Sequence, residues 1–582
     1  MTTTRSGFTK LAAVCIAILL GAVVWELGWP LTRAEHEWSR LIAAVATLGH
    51  LTGILGSYFR KEINRPSLRL LIFQIISCLM IFLLIAREQQ EAGYMRFTEL
   101  SRLVITAGLI AIPTLMSLTR IFEWLVGKQK KGRPLMAPAM QFVASLGVVI
   151  LAGTGLLLLP NSTYPGITLS FTDALFTSTS AVCVTGLNAV DFAHTFTPLG
   201  EMFTLALIQI GGFGIMTFAY FVAMVAGQGF SLRDRVLLTD LLDEDNLGAV
   251  VSFITTIVVS TLFIELCGAV LLYFSWEGKD INLMGEPLWW HSLFHSVSAF
   301  CNAGFSTFPM NLMEPGIRLC YSGQVVIMAL IVCGGLGFGI YKEINSRLAN
   351  RFFSKHRRLH MQWTPYFKLV MISTGILLAG GALAIFAVSS PHAAEPLGEH
   401  LWICLFDSVT ARTAGFNISD YGRYLPAASL IMCGLMMVGG SPGGTAGGMR
   451  TTTCAIAGAE ILRILRGRDH VEFFRRRIDQ RTVARCVITV VVSCAWIGCF
   501  TVLICALEPS MSSLDIFFEN CSAFATVGVS RGITPDLSGP SKYLLIVNML
   551  AGRVGLFAFL IALAGTPTPR HYRYPSVKIP LT

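Results

Sequence analysis

One loop pattern occurs four times in this chain of 582 residues. In each copy, small residues stand five or six positions before a glycine, an apolar residue follows the glycine, and Asn or Ser comes next. The glycines are Gly186, Gly304, Gly415 and Gly528, which lie roughly 110 to 120 residues apart. Self-similarity at a nearly constant interval is typical of tandem structural units. The pattern therefore predicts four copies of one unit, each presenting the same loop.

The composition places these loops in a membrane protein. Only 13% of the residues are charged, against about 25% in an average soluble protein, and 54% are hydrophobic. A membrane-spanning helix needs about 20 mainly apolar residues, and about twelve segments qualify. Four come early, at 11–29, 41–59, 70–86 and 103–125. Eight follow, at 141–160, 201–226, 250–275, 322–343, 366–389, 424–464 (interrupted), 484–507 and 541–564.

A shorter apolar run precedes each loop. The runs at 171–183, 288–301, 401–411 and 514–524 have about 11 to 14 residues, the length expected of a re-entrant helix. We predict an all-α polytopic membrane fold, in which four units of helix, pore helix, loop and helix surround a pseudo-fourfold pore. The predicted boundaries are 1–130 for an N-terminal four-helix transmembrane extension, 131–240, 241–360, 361–480 and 481–566 for the four pore units, and 567–582 for a cytoplasmic tail.

Basic residues fix the predicted orientation. They cluster at 60–69, 128–133, 342–358 and 463–485, all on one side of the membrane if every predicted helix spans it. Cytoplasmic loops carry an excess of Lys and Arg. Both termini are therefore predicted to be cytoplasmic, and the re-entrant loops to enter from outside. The same clusters account for the net charge of +10, so nucleic acid is not indicated as a partner.

The loops have a chemistry suited to ions. Unsatisfied backbone N–H and C=O groups cost several kcal/mol each in lipid, so irregular backbone at membrane depth is tolerated only beside a hydrated path. Four such segments around one axis would supply rings of carbonyl oxygens, which can replace the water shell of a monovalent cation. Glycine suits this role because it adopts positive φ and can turn successive carbonyls the same way.

The repeated units resemble a known family. Their order, with the sequences Ala181-Val-Cys-Val-Thr-Gly-Leu187 and Thr410-Ala-Arg-Thr-Ala-Gly-Phe416, is similar to membrane subunits of the Trk/Ktr/HKT superfamily of potassium transporters, the bacterial Ktr type above all. The resemblance covers about residues 130–582. It implies K⁺ uptake, with K⁺ as the transported ion and no cofactor in this chain. The K⁺ selectivity filter that it implies comprises Val184, Thr185, Gly186, Asn302, Ala303, Gly304, Thr413, Ala414, Gly415, Thr526, Val527 and Gly528.

The same resemblance bears on ion choice. Glycine in all four loops favours K⁺, since the family associates serine in the first loop with a preference for Na⁺. Because the four loops differ in sequence, selectivity should be less strict than in a symmetric channel. A Na⁺-permeable transporter of the same fold is the alternative, and coupling to or activation by Na⁺ or H⁺ stays open.

A glycine-rich segment interrupts the span at 424–464. Gly and Pro are costly in a helix, so two half-helices joined by a loop are predicted, with a glycine-packed kink as the alternative. In the resembled family such a loop lies under the filter and obstructs the pore. Arg553, in the middle of the last span, should face a pore or a carboxylate, and the resemblance makes it an electrostatic barrier. The implied gate comprises Gly439, Gly440, Ser441, Pro442, Gly443, Gly444, Thr445, Ala446, Gly447, Gly448 and Arg553.

Five further residues carry predictions of their own. Arg412 is expected to pair with Asp407 or Glu519, and Arg531 to leave a positive charge at the outer mouth. For Glu265, an ion or proton site and a satisfied buried carboxyl both remain open. His291 and His295 stand four apart without a third ligand in view, which favours packing or hydrogen bonding over a metal site. The 15 cysteines form no Cys-x-x-Cys pair, so zinc is not indicated.

Partners and location are implied by the family resemblance. It implies a homodimer in the bacterial inner membrane and a cytosolic regulatory ring of nucleotide-binding subunits of the RCK type. The basic loops and the tail are candidate docking surfaces for that ring or for anionic membrane lipids. The rival class is an integral-membrane transferase, which would need an acidic cluster at one interface. Asp240, Asp243, Glu244 and Asp245 form such a group, but without metal-ligand spacing.

Overall fold

A computed structural model of the protein describes residues 138–214, 250–353, 363–389 and 396–564, and scattered positions between 14 and 52. The predicted N-terminal extension therefore lies almost entirely outside the described residues, as does the tail at 567–582. In the described ranges the chain is mainly helical. The sheet among them is a hairpin of two short antiparallel strands, β1 (Glu472–Phe473) and β2 (Arg476–Arg477).

The described helices fall into four consecutive groups with the same order: a first helix, a short buried helix, a loop and a second helix. The first group has α1 (Pro138–Leu157), α2 (Phe171–Cys183), α3 (Phe192–Thr195) and α4 (Pro198–Phe213). The second has α5 (Val250–Trp276), α6 (Leu288–Cys301), α7 (Pro315–Arg318), α8 (Tyr321–Gly335) and α9 (Phe338–Phe353). The third has α10 (Pro365–Val388), α11 (Leu397–Thr410), α12 (Pro426–Met437) and α13 (Thr451–Leu465). The fourth has α14 (Gln480–Leu507), α15 (Ser513–Ala525), α16 (Gly539–Val554) and α17 (Leu556–Ala564), and 3₁₀ turns lie at Pro160–Ser162, Asn311–Met313 and Tyr421–Arg423.

Three described helices are long and apolar enough to cross a bilayer. They are α5 from Ile254 onward, α10 and α14. The helices α8 and α9 together form a fourth candidate, but they meet at an angle of 94°. The first helices of groups two to four are thus long enough to span a bilayer, whereas the described second helices are shorter.

The second helices are broken, which corrects the continuous spans predicted at 322–343 and 541–564. Each helix stops at a glycine with positive φ: Gly214 after α4 (76°), Gly337 after α8 (88°) and Gly555 after α16 (89°). Positive φ cannot continue a right-handed helix. In the third group the predicted interruption is present, between α12 and α13.

Glycines also let the second helices pack directly on the ends of the short helices. A Cβ added at Gly211 would lie 2.2 Å from the Val182 carbonyl oxygen. At Gly334 it would lie 1.8 Å from the carbonyl oxygen of Phe300, and at Gly552 1.7 Å from that of Phe524. Real Cβ atoms do not approach so closely, so only glycine permits this packing. The contacts fix the depth of the loops that follow the short helices.

Candidate functional site

Three of the short helices end in the same way. The residue after the helix is left-handed: Val184 (φ 57°), Asn302 (φ 61°) and Thr526 (φ 51°). The next N–H bonds to the carbonyl five residues back, as in Thr185 N to Ser180 O at 2.7 Å. This is the Schellman ending, which usually has glycine at the left-handed position. A β-branched residue such as Val184 is strained there, and such strain is concentrated at functional sites.

Each of the four loop glycines stands two residues after the left-handed residue of its loop and also has positive φ. The angles are 88° at Gly186, 68° at Gly304, 83° at Gly415 and 95° at Gly528. In the third loop Thr413 takes the left-handed position, with φ of 71°. The residue between the two has negative φ in every loop, so the backbone alternates in handedness. We call these four segments, each from the left-handed residue to its glycine, the glycine loops.

The glycine loops meet one another around a closed ring. A Cβ added to the glycine of one loop would collide with the carbonyl oxygen just before the glycine of the next. The fourth loop contacts the first, so the order closes on itself. The distances from the added Cβ are 2.3 Å from Gly186 to Ala303 O, 2.7 Å from Gly304 to Ala414 O, 2.6 Å from Gly415 to Val527 O and 2.1 Å from Gly528 to Thr185 O.

Hydroxyl groups at the ends of the short helices hold the loops in place. The hydroxyl oxygens of Ser180 and Ser522 each accept a hydrogen bond, at 3.0 Å, from the N–H of the glycine six residues later. Ser298 instead donates to Phe305 O at 2.8 Å, and Thr410 to Phe416 O at 2.6 Å. All these groups are buried, so the loops are held by protein contacts rather than by solvent.

Buried acids behind the loops have partners other than Arg412, which corrects the predicted pairing. Asp407 accepts hydrogen bonds from Tyr421, at 2.9 Å, and from Tyr424. Glu519 accepts bonds from Thr534, at 2.9 Å, and from the backbone N–H of Arg531. These bonds tie the short helices α11 and α15 to the segments that follow their glycine loops. Arg412 itself donates to Val438 O at 2.7 Å.

The two histidines of α6 make hydrogen bonds and pack. His295 bonds to Ser306 through Nε2 at 2.9 Å, and His291 to Thr307 through Nδ1 at 2.6 Å. Both rings stack on Phe308. This confirms the packing and hydrogen-bonding interpretation. Within the described ranges, no group of three His, Cys, Asp or Glu side chains is placed to hold a metal ion.

Glu265 is a satisfied buried carboxyl. It is 3% exposed and accepts two bonds from Gln209 Nε2, each of 3.2 Å. The Cys301 thiol donates to it at 3.6 Å. The buried-carboxyl alternative therefore accounts for its surroundings, and these bonds link the first and second groups below the loops.

Arg531 is paired, which corrects the expectation of a free positive charge at the outer mouth. Its Nε lies 2.5 Å from Asp515 Oδ1, and its side chain is 10% exposed. The guanidinium also donates to Tyr421 O at 2.9 Å and to Ser429 Oγ at 2.6 Å. The side chain therefore joins the third and fourth groups.

The substitution Arg531→Ser is expected to lower stability by about 1–3 kcal/mol, because it breaks a largely buried ion pair and strands Asp515. Thermal unfolding of the detergent-solubilised protein measures this. Arg423→Ser is the matched control, since Arg423 pairs with Asp420 while 76% exposed. An equal unfolding temperature for both variants would contradict the joining role of Arg531.

Segment 439–448 lies directly beneath the glycine loops. A Cβ added at Gly447 would stand 2.1 Å from the Thr526 hydroxyl oxygen, and one at Gly448 3.2 Å from Ala525 Cα. Thr445 donates its hydroxyl to Phe300 O at 3.3 Å. The segment is also bonded to the end of α8, with Ser441 N to Gly335 O at 2.9 Å. It therefore contacts the end of α6 and the fourth glycine loop at once.

Three arginines hold this segment and its flanks through backbone carbonyls. Arg553 donates to Thr445 O and to Gly211 O at the end of α4. Arg450 donates to Ala446 O, and Arg412, as noted, to Val438 O. None of the three forms an ion pair with a carboxylate of the described residues. Arg553 thus faces carbonyl oxygens rather than the carboxylate that sequence reasoning allowed.

Sequence reasoning missed two features of this site. Arg450 was not singled out, and the left-handed residues before the glycines were not expected to include Val and Thr. The breaks in the second helices had a visible signal. Two glycines separated by two residues recur at 211–214, 334–337 and 552–555, and Gly439 and Gly440 stand at the corresponding place in the third group.

The chain is similar to several known proteins. A family model described as "TrkH: Cation transport protein" matches residues 105–574. The chain is 34% identical to the Ktr system potassium uptake protein B of Bacillus subtilis over 74% of this chain and 94% of that protein. It is 32% identical to the potassium/sodium uptake protein NtpJ of Enterococcus hirae, over 78% and 99%. The crystal structure of the potassium transporter TrkH from Vibrio parahaemolyticus shares the fold, with a TM-score of 0.59 at 16% identity over 96% and 99%.

Proposed function

The chain belongs to the TrkH family of cation transport proteins, and from this premise we propose that it takes up K⁺ through a pore lined by the four glycine loops. The relatives named as potassium uptake proteins support K⁺ as the ion. The name potassium/sodium uptake protein NtpJ supports Na⁺ permeability as the alternative. In this proposal the chain is a multi-pass membrane protein with four pore units bounded as predicted and both termini cytoplasmic.

The closed ring of the glycine loops is the observation that carries the proposal. Each glycine lies against the carbonyl group of the next loop, and this closeness of the four loops supports a common axis lined by their backbone oxygens. Rings of carbonyl oxygens can replace the hydration shell of K⁺. The left-handed residues are not the same in all four loops, being Val184, Asn302, Thr413 and Thr526, which supports a filter less strict than one of four identical strands.

Segment 439–448 is proposed as the gate, with Arg553 as its latch. Its contacts with Thr526 and with Phe300 O support a position across the inner end of the ring. The guanidinium of Arg553 adds a positive charge there. Passage of K⁺ requires the segment to leave this position, so the structure corresponds to a non-conducting state.

Regulation is proposed to come from outside the chain. A homodimer with a cytosolic nucleotide-binding ring of the RCK type agrees with the relatives named as parts of Ktr systems. The exposed basic residues around β1 and β2, such as Arg475 and Arg476, form a candidate contact for the ring or for anionic lipid. Pull-down of the cytosolic ring is compared between the unchanged protein and a variant with reversed charge at Arg475 and Arg476. The comparison distinguishes the ring from anionic lipid as the partner of these residues.

Ion flux into proteoliposomes tests the function. Purified protein should carry K⁺ in preference to Na⁺, and Gly186→Ser should lower that preference at least about tenfold, equivalent to about 1.4 kcal/mol. The added side chain would begin 2.3 Å from Ala303 O and distort the ring. Equal K⁺ and Na⁺ flux in the unchanged protein would favour the Na⁺-permeable alternative, and no flux of either ion under any activating condition would overturn the proposal.

A further inference from the structure

Segment 439–448 is also bonded to the beginnings of α9 and α10. The hydroxyl group of Tyr366, in the first turn of α10, donates to Pro442 O at 2.9 Å. The backbone N–H of Phe338, the first residue of α9, donates to Gly443 O at 3.0 Å. Two adjacent carbonyl groups of the segment are thus bonded from two different helices.

The packing around these bonds is close. A Cβ added at Gly337, just before α9, would lie 2.5 Å from Pro442 O. The ring of Tyr366 lies beside the first turn of α9, where a Cβ added at Gly339 would be 3.5 Å from the Cε1 atom of the ring, an ordinary contact distance. Tyr366 therefore packs on α9 with its ring while its hydroxyl group bonds to the segment.

Glu343 of α9 is bonded to the residue that caps α10. Its carboxylate accepts two hydrogen bonds from Thr364, one from the backbone N–H at 3.1 Å and one from the hydroxyl group at 2.7 Å. The hydroxyl oxygen of Thr364 in turn accepts a bond from Phe367 N at 3.2 Å, which is a helix N-cap. Thr364 stands two residues before Tyr366, so these bonds fix the start of the turn that carries the tyrosine.

Arg347 adds a second contact between the two helices. Its guanidinium donates to the Glu343 carboxylate at 3.0 Å and lies 3.8 Å from the centre of the Trp363 ring. A cation over the face of an aromatic ring is attracted to it. The ring of Trp363 also stacks on that of Phe367, with 4.0 Å between the ring centres. We call Glu343, Arg347, Trp363 and Thr364 the α9–α10 joint, and all four lie outside segment 439–448.

We propose that Tyr366 is a positioning residue of the gate and that the α9–α10 joint holds Tyr366 in place. This inference rests on the proposed role of segment 439–448 as the gate. The two helices each bond to one of two adjacent carbonyl groups of the segment, so separation of α9 from α10 withdraws a donor from it. The joint is therefore a place at which the closed position of the gate is set.

The position of the joint in the sequence suggests how a partner acts on the gate. Glu343 and Arg347 lie within the basic stretch 342–358, one of the candidate docking surfaces. An anionic partner that takes Arg347 away from Glu343 loosens the joint without any contact with segment 439–448. Release of Tyr366 then follows from displacement of α9 or α10.

Hydrogen exchange of the purified full-length protein, followed by mass spectrometry of peptides that cover 439–448, tests the proposal without a transport measurement. Exchange of hydrogen-bonded amides requires local opening of the segment. Tyr366→Phe keeps the ring and removes the donor, so exchange should become at least about threefold faster, the effect of one lost hydrogen bond. Glu343→Ala removes an acceptor that makes no bond to the segment, and it should also speed exchange there, at least about twofold.

Two matched variants serve as controls. Tyr543→Phe removes a hydroxyl group that bonds to Thr172 at 3.1 Å, between α16 and α2, and Thr364→Ser keeps both donors to Glu343. Both should leave exchange of 439–448 unchanged. Should Glu343→Ala reduce the folding yield, Thr364→Ala removes the hydroxyl donor and provides the comparison. Unchanged exchange of 439–448 in Tyr366→Phe, or equally faster exchange in every peptide of the chain, would overturn the positioning role, and unchanged exchange in Glu343→Ala would overturn the role of the joint.

K⁺ flux separates this inference from the proposed gate. Tracer uptake into proteoliposomes that contain Tyr366→Phe alone, without any regulatory partner, should exceed that of the unchanged protein at least about threefold. Faster exchange together with this leak supports both the positioning role and the gate. Faster exchange without a leak would keep the bond from Tyr366 as the restraint on segment 439–448 but would contradict the role of that segment as the gate.

Discussion

Gly528→Ala is expected to reduce K⁺ uptake at least about a hundredfold, since distorted filter geometry and left-handed strain of roughly 1–2 kcal/mol act together. The added Cβ would stand 2.1 Å from Thr185 O and 3.0 Å from Gly186 Cα, at a residue with φ of 95°. The oxygen of Thr185 would have to move away from the axis. Initial K⁺ uptake by proteoliposomes, normalised to correctly folded protein, measures the effect.

The chain offers a matched control four residues later. Gly532 has φ of 90°, almost the same as Gly528, but a Cβ there would meet nothing within 4 Å. Gly532→Ala therefore carries similar backbone strain without a collision, and uptake should stay within about threefold of the unchanged protein. Similar losses in the two variants would mean that strain, rather than displacement of a ring oxygen, explains the first result.

Arg553→Gln is expected to raise K⁺ flux in the absence of any regulatory partner by at least about tenfold. Hydrogen bonds from a charged donor contribute about 1.5–3 kcal/mol each, and this arginine makes two, to Thr445 O and Gly211 O. Removing them weakens the position of segment 439–448 beneath the glycine loops. Tracer uptake into proteoliposomes with the protein alone measures the leak.

Arg553→Lys separates two roles of the side chain. Lysine keeps the positive charge but lacks the planar fork that reaches two carbonyl groups at once. A leak in Arg553→Lys close to that of Arg553→Gln would identify the bonds as the restraint. Flux as low as in the unchanged protein would identify the charge, in agreement with the barrier implied by the family resemblance. Unchanged or lower flux in both variants would contradict a restraint by Arg553, whether through its hydrogen bonds or through its charge.

The repeated glycines were the strongest sequence signal, and they led to the family and to the positions of the short helices. The predicted runs 171–183 and 288–301 coincide with α2 and α6. This succeeded because hydrophobic length and a repeated glycine are properties of the chain itself. The exact boundaries of the four units and the roles of the individual loop residues remain predictions.

The wrong predictions concern the contact partners of long side chains. Arg412 was expected to pair with a carboxylate and Arg531 to be a free charge, but Arg412 bonds to the Val438 carbonyl of its own unit and Arg531 bonds partly to the preceding unit. Arg531 bonds to Tyr421 O, which lies 110 residues away along the sequence. No local pattern encodes such a contact, because it depends on how the third and fourth groups pack. The helix breaks, in contrast, could have been found by comparing the second helices with one another.

Because the arginines at segment 439–448 bond to carbonyl groups, opening of the proposed gate would leave no stranded carboxylate among the described residues. An acid partner, once released, would remain ionised beside the ion path and would trap the cations passing it. The carbonyl oxygens at the end of α4 carry only a partial charge, so in the proposed gate the release of Gly211 by Arg553 would leave no full negative charge behind. Closure of the proposed gate would then depend on neutral backbone groups, and release would expose no carboxylate partner of Arg553 among the described residues.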